Sequence, residues 1–192
     1  DNYGWSIAYP MSALTTTSQR LPNQPTADVH EANLGLLSDF LASLPFFVKV
    51  NSGFRTPQVN TAVGGVGSSQ HMNGLGVDLA VPTPGITNKD LATYFWYYRD
   101  KLPYLDQVIW YTNKGHTHVG ICPPASTGCL SDVPRGQFKV LPAGGDWTPS
   151  EADLASYGAR ALIALGPPGG FPFGKAIALG GAVAVSLTAL GL

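Results

Sequence analysis

Charge is what this chain has least of. Asp, Glu, Lys and Arg make up 12% of its 192 residues, about half the roughly 25% usual for a globular protein. A surface so poor in charge is expected to face protein or lipid over much of its area rather than bulk water. The net charge of −1 comes without a basic stripe, which argues against nucleic acid as a partner because nothing is available to neutralise phosphates. Cysteine is also scarce. Cys122 and Cys129 are the only two, and they enclose the short segment CPPASTGC. They read either as a disulfide, which would indicate an oxidising setting such as a periplasm, an exterior or a virion, or as two buried thiols. A C-x6-C spacing without a second pair is a poor zinc signature. The opening residues DNYGWSIAYP have neither a basic start nor an apolar run, so no secretory signal is expected in them.

What is present suffices for a core. Hydrophobic residues make up 44% of the chain, and the length suits one domain of about 120–150 residues with appendages. Residues 1–27 are rich in Tyr, Thr, Ser, Pro and Asn without a sustained period, which predicts an extended N-terminal arm. From Ala27 to Leu44 the apolar residues Val29, Leu34, Leu37, Phe40, Leu41 and Leu44 recur at helical spacing, and Pro45 ends the run. A short strand is expected over Phe46–Val50, leading into the turn Ser52-Gly53-Phe54-Arg55. Thr56-Pro57 reads as an N-cap followed by proline at the first helical position, with Gly64-Gly65 closing that helix.

A strand is predicted over Leu75–Val81, with Val77, Leu79 and Val81 on one face and Asp78 and Ala80 on the other. A helix with a capping-box start at Thr87 is predicted to Leu102, its aromatic stripe belonging to the core. Leu105–Thr112 and His116–Cys122 read as a hairpin turning at Asn113-Lys114-Gly115. Asp106, Val108, Trp110 and Thr112 should share a face of its first strand, and His116, His118 and Gly120 a face of its second. Residues 123–150 are dense in Gly and Pro and read as loop. Residues 151–192 read as a helix, a break at PPGGFPFG, and a hydrophobic tail.

The chemistry concentrates in two stretches. NSGFRTPQVNTAVGGVGSSQHMNGLGVDLAV carries His71 and Asp78 in the pattern S-x-H-x-x-G-x-x-x-D, and GHTHVGI carries His116 and His118. A catalytic zinc site needs three protein ligands and one open position, and His71, Asp78 and His118 would make such a trio. On chemistry alone the trio is no more than a candidate, since four histidines in 192 residues are ordinary.

The run SGFRTPQVNTAVGGVGSSQHMNGLGVD closely resembles the pattern SGYRSPxxNxxVGGxxxSQHxxGxAxD of the zinc D-alanyl-D-alanine peptidases. That peptidoglycan-cutting family shares its fold with hedgehog signalling domains. The upstream PTADVHEANLGLL is similar to the family's N-terminal helix, and the likeness extends over roughly residues 14–121. The resemblance implies an α+β fold for a peptidase-like domain over 28–122: a small, mainly antiparallel sheet with helices on one face and a zinc cleft on the other. It implies Zn2+ held by His71, Asp78 and His118, with Arg55, Ser69 and Gln70 as substrate-binding residues and Arg55 also catalytic, at the developing oxyanion.

His116 is expected to orient water or to stabilise the tetrahedral intermediate. Relatives place an acidic general base near Tyr111, Thr112 or Gly115, and this chain has no carboxylate there. His116 or Asp106 would have to replace it. The expected function is a zinc-dependent peptidase acting on bacterial peptidoglycan, as a virion-associated or membrane-held phage lysin. The alternative is a weakly active or inactive structural or peptidoglycan-binding component of a virus particle. After Lys175 the tail runs 17 residues without charge, the short end of the roughly 17–25 that cross a bilayer. Residues 176–192 are therefore expected to contact membrane or other virion proteins.

Overall fold

The computed structural model describes residues 9–102, 104–124, 129 and 136–157. Its centre is a five-stranded sheet formed by β1 (Lys49–Ser52), β2 (Gly76–Ala80), β3 (Leu105–Tyr111), β4 (Thr117–Ile121) and β5 (Gln137–Leu141), in the order β1-β2-β4-β3-β5. All pairings are antiparallel except β3 with β5. Around it lie the helices α1 (Met11–Leu14), α2 (Asp28–Ala42), α3 (Pro57–Ala62) and α4 (Asn88–Tyr97). This is the α+β architecture, with a mostly antiparallel sheet, that the sequence implies.

The core lies on one face of the sheet. Val77, Leu79, Val108, Val119 and Ile121 pack with Leu34, Leu37, Phe40 and Leu41 of α2 and with Leu91, Tyr94 and Phe95 of α4 in one buried cluster. Each such aliphatic or aromatic side chain contributes about 1.5–3 kcal/mol through burial. The predicted stripe on α2 is present except at Val29, the second residue of the helix, which is exposed. α4 starts as predicted. Thr87 caps Asp90 N–H, and the Asp90 carboxylate accepts in return from Thr87 N–H at 2.8 Å. It is shorter than predicted, giving way to a 3-10 turn at Arg99–Lys101.

Three expectations change. The first strand begins at Lys49 rather than Phe46, because Val48 N–H donates to Tyr9 Oη at 3.0 Å and not to a neighbouring strand. The described part of the N-terminal segment is packed rather than extended, since α1 buries Leu14 completely and Tyr9 is in the core. Within the region read as loop, Gln137–Leu141 forms β5, with Phe138 buried and Trp147 N–H closing back on Phe138 O at 2.8 Å. Of the two readings of the cysteines, the disulfide is the one present: Cys122 at the end of β4 is bonded to Cys129.

Residues 151–157 are helical, as expected. Ser150 and Asp153 cap that helix reciprocally, and Asp153 pairs with Lys89 of α4 at 2.5 Å. Among the described residues no helix is long and apolar enough to cross a membrane. The PPGGFPFG break and the tail at 176–192 lie outside the described residues.

Candidate metal centre

The site lies where three backbone elements meet. Asp78 is the middle residue of β2, and His118 stands directly opposite it on β4. Two residues opposite each other in an antiparallel pair project from the same face. Here that is the face away from Val77 and Val119. His71 arrives on a 3-10 turn, Gln70–Asn73, that ends at Gly74 in the left-handed conformation, φ 71°. A side chain at Gly74 would also meet His30 O of α2 at 2.9 Å. Asn33 of α2 donates to Asn73 O at 2.8 Å, so the helix holds the turn against the sheet. Arg55 N–H donates to His71 O at 3.1 Å, tying in the turn that follows β1.

Three ligand-type atoms converge. His118 Nδ1 lies 3.1 Å from His71 Nε2 and 3.1 Å from Asp78 Oδ1, and His71 Nε2 lies 3.3 Å from Asp78 Oδ1. Zinc–nitrogen bonds of about 2.0–2.1 Å in a tetrahedral set would separate ligand atoms by about 3.3 Å. The triangle therefore has the size of one face of such a tetrahedron. His71 Nδ1 is 2.6 Å from Gly53 O, so its proton belongs on Nδ1 and its lone pair on Nε2, facing the other two. These residues fit a metal.

Electrostatics supports the same reading. Burial lowers His71 to about 4, so its imidazole is neutral at neutral pH, the form that ligates. Burial opposes charge on Asp78, but the imidazoles of His118 and His71 set against it outweigh that cost and hold the carboxyl well below the usual carboxylate range. Arg55 Nη2 bonds Asp78 Oδ2 at 2.5 Å, leaving Oδ1 for the triangle.

The remaining predicted site residues fall into two groups. Arg55 and His116 are half-buried at the site. Arg55 Nε also donates to Ser52 Oγ at 3.0 Å, and His116 Nε2 is 3.8 Å from Asp78 Oδ2. Burial lowers the His116 pKa, partly offset by Asp78. Ser69 is half-buried just ahead of the 3-10 turn, its N–H donating to Val66 O at 3.1 Å. Gln70 requires a correction. It is 3% exposed and lies behind His118, with Oε1 3.4 Å from His118 Nε2 and Nε2 donating to Asp106 Oδ2 at 2.7 Å. A side chain so enclosed has no open side for substrate.

Asp106, one of two candidates for a replacement base, is 2% exposed and sits beyond Gln70 rather than on the open side. A β-bulge explains its direction. Leu105 pairs with Ile121 but Gln107 with Gly120, so one extra residue in β3 breaks the alternation that would align Asp106 with Val108. Of the positions where an acid was sought, Tyr111 shares the His118 face through Ile109, and its ring meets His116 at 5.1 Å. Burial raises its pKa and the Asp78 charge raises it further, so the phenol keeps its proton at neutral pH. Thr112 and Gly115 are exposed. Sequence reasoning missed Gly53 O as the partner of His71, because a backbone acceptor leaves no mark in residue type.

The fold and this candidate centre are compatible with a metal-dependent peptidase. The Peptidase M15 family profile matches residues 9–120, and the chain belongs to that family. Comparison with curated proteins finds no match.

Proposed function

We propose that this peptidase is zinc-dependent and cleaves peptide bonds in bacterial peptidoglycan. The observation that carries the metal is the triangle of His71 Nε2, Asp78 Oδ1 and His118 Nδ1, with edges of 3.1–3.3 Å. The substrate class rests on the long run from Ser52 to Asp78 that matches the peptidoglycan-cutting pattern. Zinc in such a site supplies Lewis-acid polarisation of a carbonyl and acidifies water toward a pKa of about 7.

The chain's own residues supply the rest. Arg55 uses Nε for Ser52 and one Nη2 bond for Asp78. A guanidinium has five N–H donors, which leaves others for a peptide carboxylate or a developing oxyanion. His116 is the imidazole on the open side of the triangle, within reach of a water between itself and Asp78, and is the group best placed to take a proton. The disulfide and the charge-poor surface support an extracytoplasmic or virion location, with residues 176–192 contacting membrane or other virion proteins, in the manner of a phage lysin.

Digestion of purified peptidoglycan by the zinc-loaded protein, with and without chelator, tests the reading by mass spectrometry of the fragments. New amino or carboxyl ends that vanish with chelator are expected. Intact wall despite one bound zinc would favour the second reading, a structural or wall-binding component. The absence of a carboxylate at Tyr111, Thr112 and Gly115 is the observation that favours it.

A further inference from the structure

We propose that Gln70 and Asp106 act as a buried positioning pair that sets the tautomer and rotation of His118, presenting its Nδ1 lone pair to the metal. This rests on the metal reading above. The chain of inference starts at Asp106. A carboxylate only accepts hydrogen bonds, so the Gln70 group facing Asp106 Oδ2 at 2.7 Å must be the amide nitrogen. Gln70 Oε1 is then the atom turned to His118 Nε2, at 3.4 Å. An oxygen there calls for a proton on Nε2, and an imidazole protonated on Nε2 has its lone pair on Nδ1. Nδ1 is the atom 3.1 Å from both His71 Nε2 and Asp78 Oδ1.

Two backbone features serve this contact. The bulge in β3 brings Asp106 to the Gln70 side. In β4, a Cβ on Gly120 would lie 1.8 Å from Gln70 Oε1, so the amide has its place only because residue 120 has no side chain. His71 achieves the same end with one backbone carbonyl, Gly53 O. His118, in mid-strand, has its own backbone engaged in the ladder and uses side chains instead. Neither Gln70 nor Asp106 reaches the open side, so both act through His118 and not on substrate.

The test is zinc affinity, measured by competition with a chromogenic chelator, with thermal unfolding of each metal-free variant recorded alongside. Gln70→Met and Asp106→Leu each remove one member at similar volume and should weaken zinc by about 10–100-fold, the range usual for partners of metal-bound histidines. The double exchange Gln70→Glu with Asp106→Asn keeps an oxygen on His118 Nε2 and keeps an amide–carboxylate bond behind it, with the two roles traded. It should bind within a few-fold of the parent. Parent-like affinity in the Met and Leu variants overturns the inference. So does a double variant that unfolds like the parent yet binds as weakly as the single ones. A parent protein that binds no zinc overturns the metal reading itself, a result distinct from either.

Discussion

Behind the metal centre, His71 rests on Gly53 O, and His118 rests on Gln70 and through it on Asp106, with Gln70 and Asp106 at most 3% exposed. In front, Arg55, His116 and Tyr111 are half-buried, and Val66 on the turn leading to His71 is 68% exposed. The rear is closed and specified atom by atom, whereas the mouth is open and lacks a carboxylate at Tyr111, Thr112 and Gly115, the positions where the family resemblance implies one. On the proposed function, holding a metal and turning over a substrate fall to different sides of one cluster. They should be separable by mutation.

The largest effect is expected where the two sides meet. His71→Ala removes a ligand and should lower zinc affinity by more than about 100-fold, beyond what loss of a ligand's partner costs; release of muropeptides should stop. Unchanged release from that variant would break the comparison at its root. At the mouth alone, His116→Gln should lower kcat by about 10²–10⁴-fold, the contribution of a general base, while zinc affinity stays within a few-fold. Tyr111→Glu places a carboxylate on the His118 face and should raise cleavage toward the lower, about 10²-fold, end of that same range. No gain, with zinc retained, would show that an acid at this position does not reach the water.

At the rear, Gly120→Ala pushes a methyl into Gln70 and should cost about 1–3 kcal/mol in denaturant unfolding, as overpacking does, together with weaker zinc binding. The last effect is on pH. Burial holds His71 near 4 in the folded metal-free protein against 6.5 for the free group. The unfolded chain therefore takes up the proton first as pH falls. This contribution to stability is complete above pH 6.5 and lost progressively toward about 4, so the thermal midpoint of the metal-free protein should drop across that window. A midpoint that stays flat would mean His71 is not buried in the neutral form.

That His71, Asp78 and His118 come together was legible because their residue types announce the chemistry and two short stretches carry them. α2, α4 and the hairpin were legible from periodicity, whereas α1 was not. What escaped was set by geometry that alternation cannot encode. Strict period two aligns Asp106 with Val108, and the single extra residue at the bulge changes its direction. The family resemblance implies that Gln70 binds substrate, yet the 3-10 turn sends Gln70 and His71 to different sides. β5 was hidden because QFKVL lies between Gly136 and Pro142 in a stretch dominated by turn residues, and its pairing partner β3 is distant in sequence.

One contact far from any ligand bears on where this chain can be shortened. Asn23 donates to Thr15 O at 2.8 Å and to Phe54 O at 2.7 Å, and accepts from Thr56 N–H at 3.0 Å, while Phe54 N–H donates to Leu14 O at 2.7 Å. The turn so clasped carries Gly53 O, against which His71 is aligned. A version trimmed to begin at α2 would keep every ligand and most of the sheet, yet release the backbone strap that sets one imidazole. Residues 14–23, which hold nothing that looks chemical, therefore belong to the smallest unit that keeps the proposed metal site in shape.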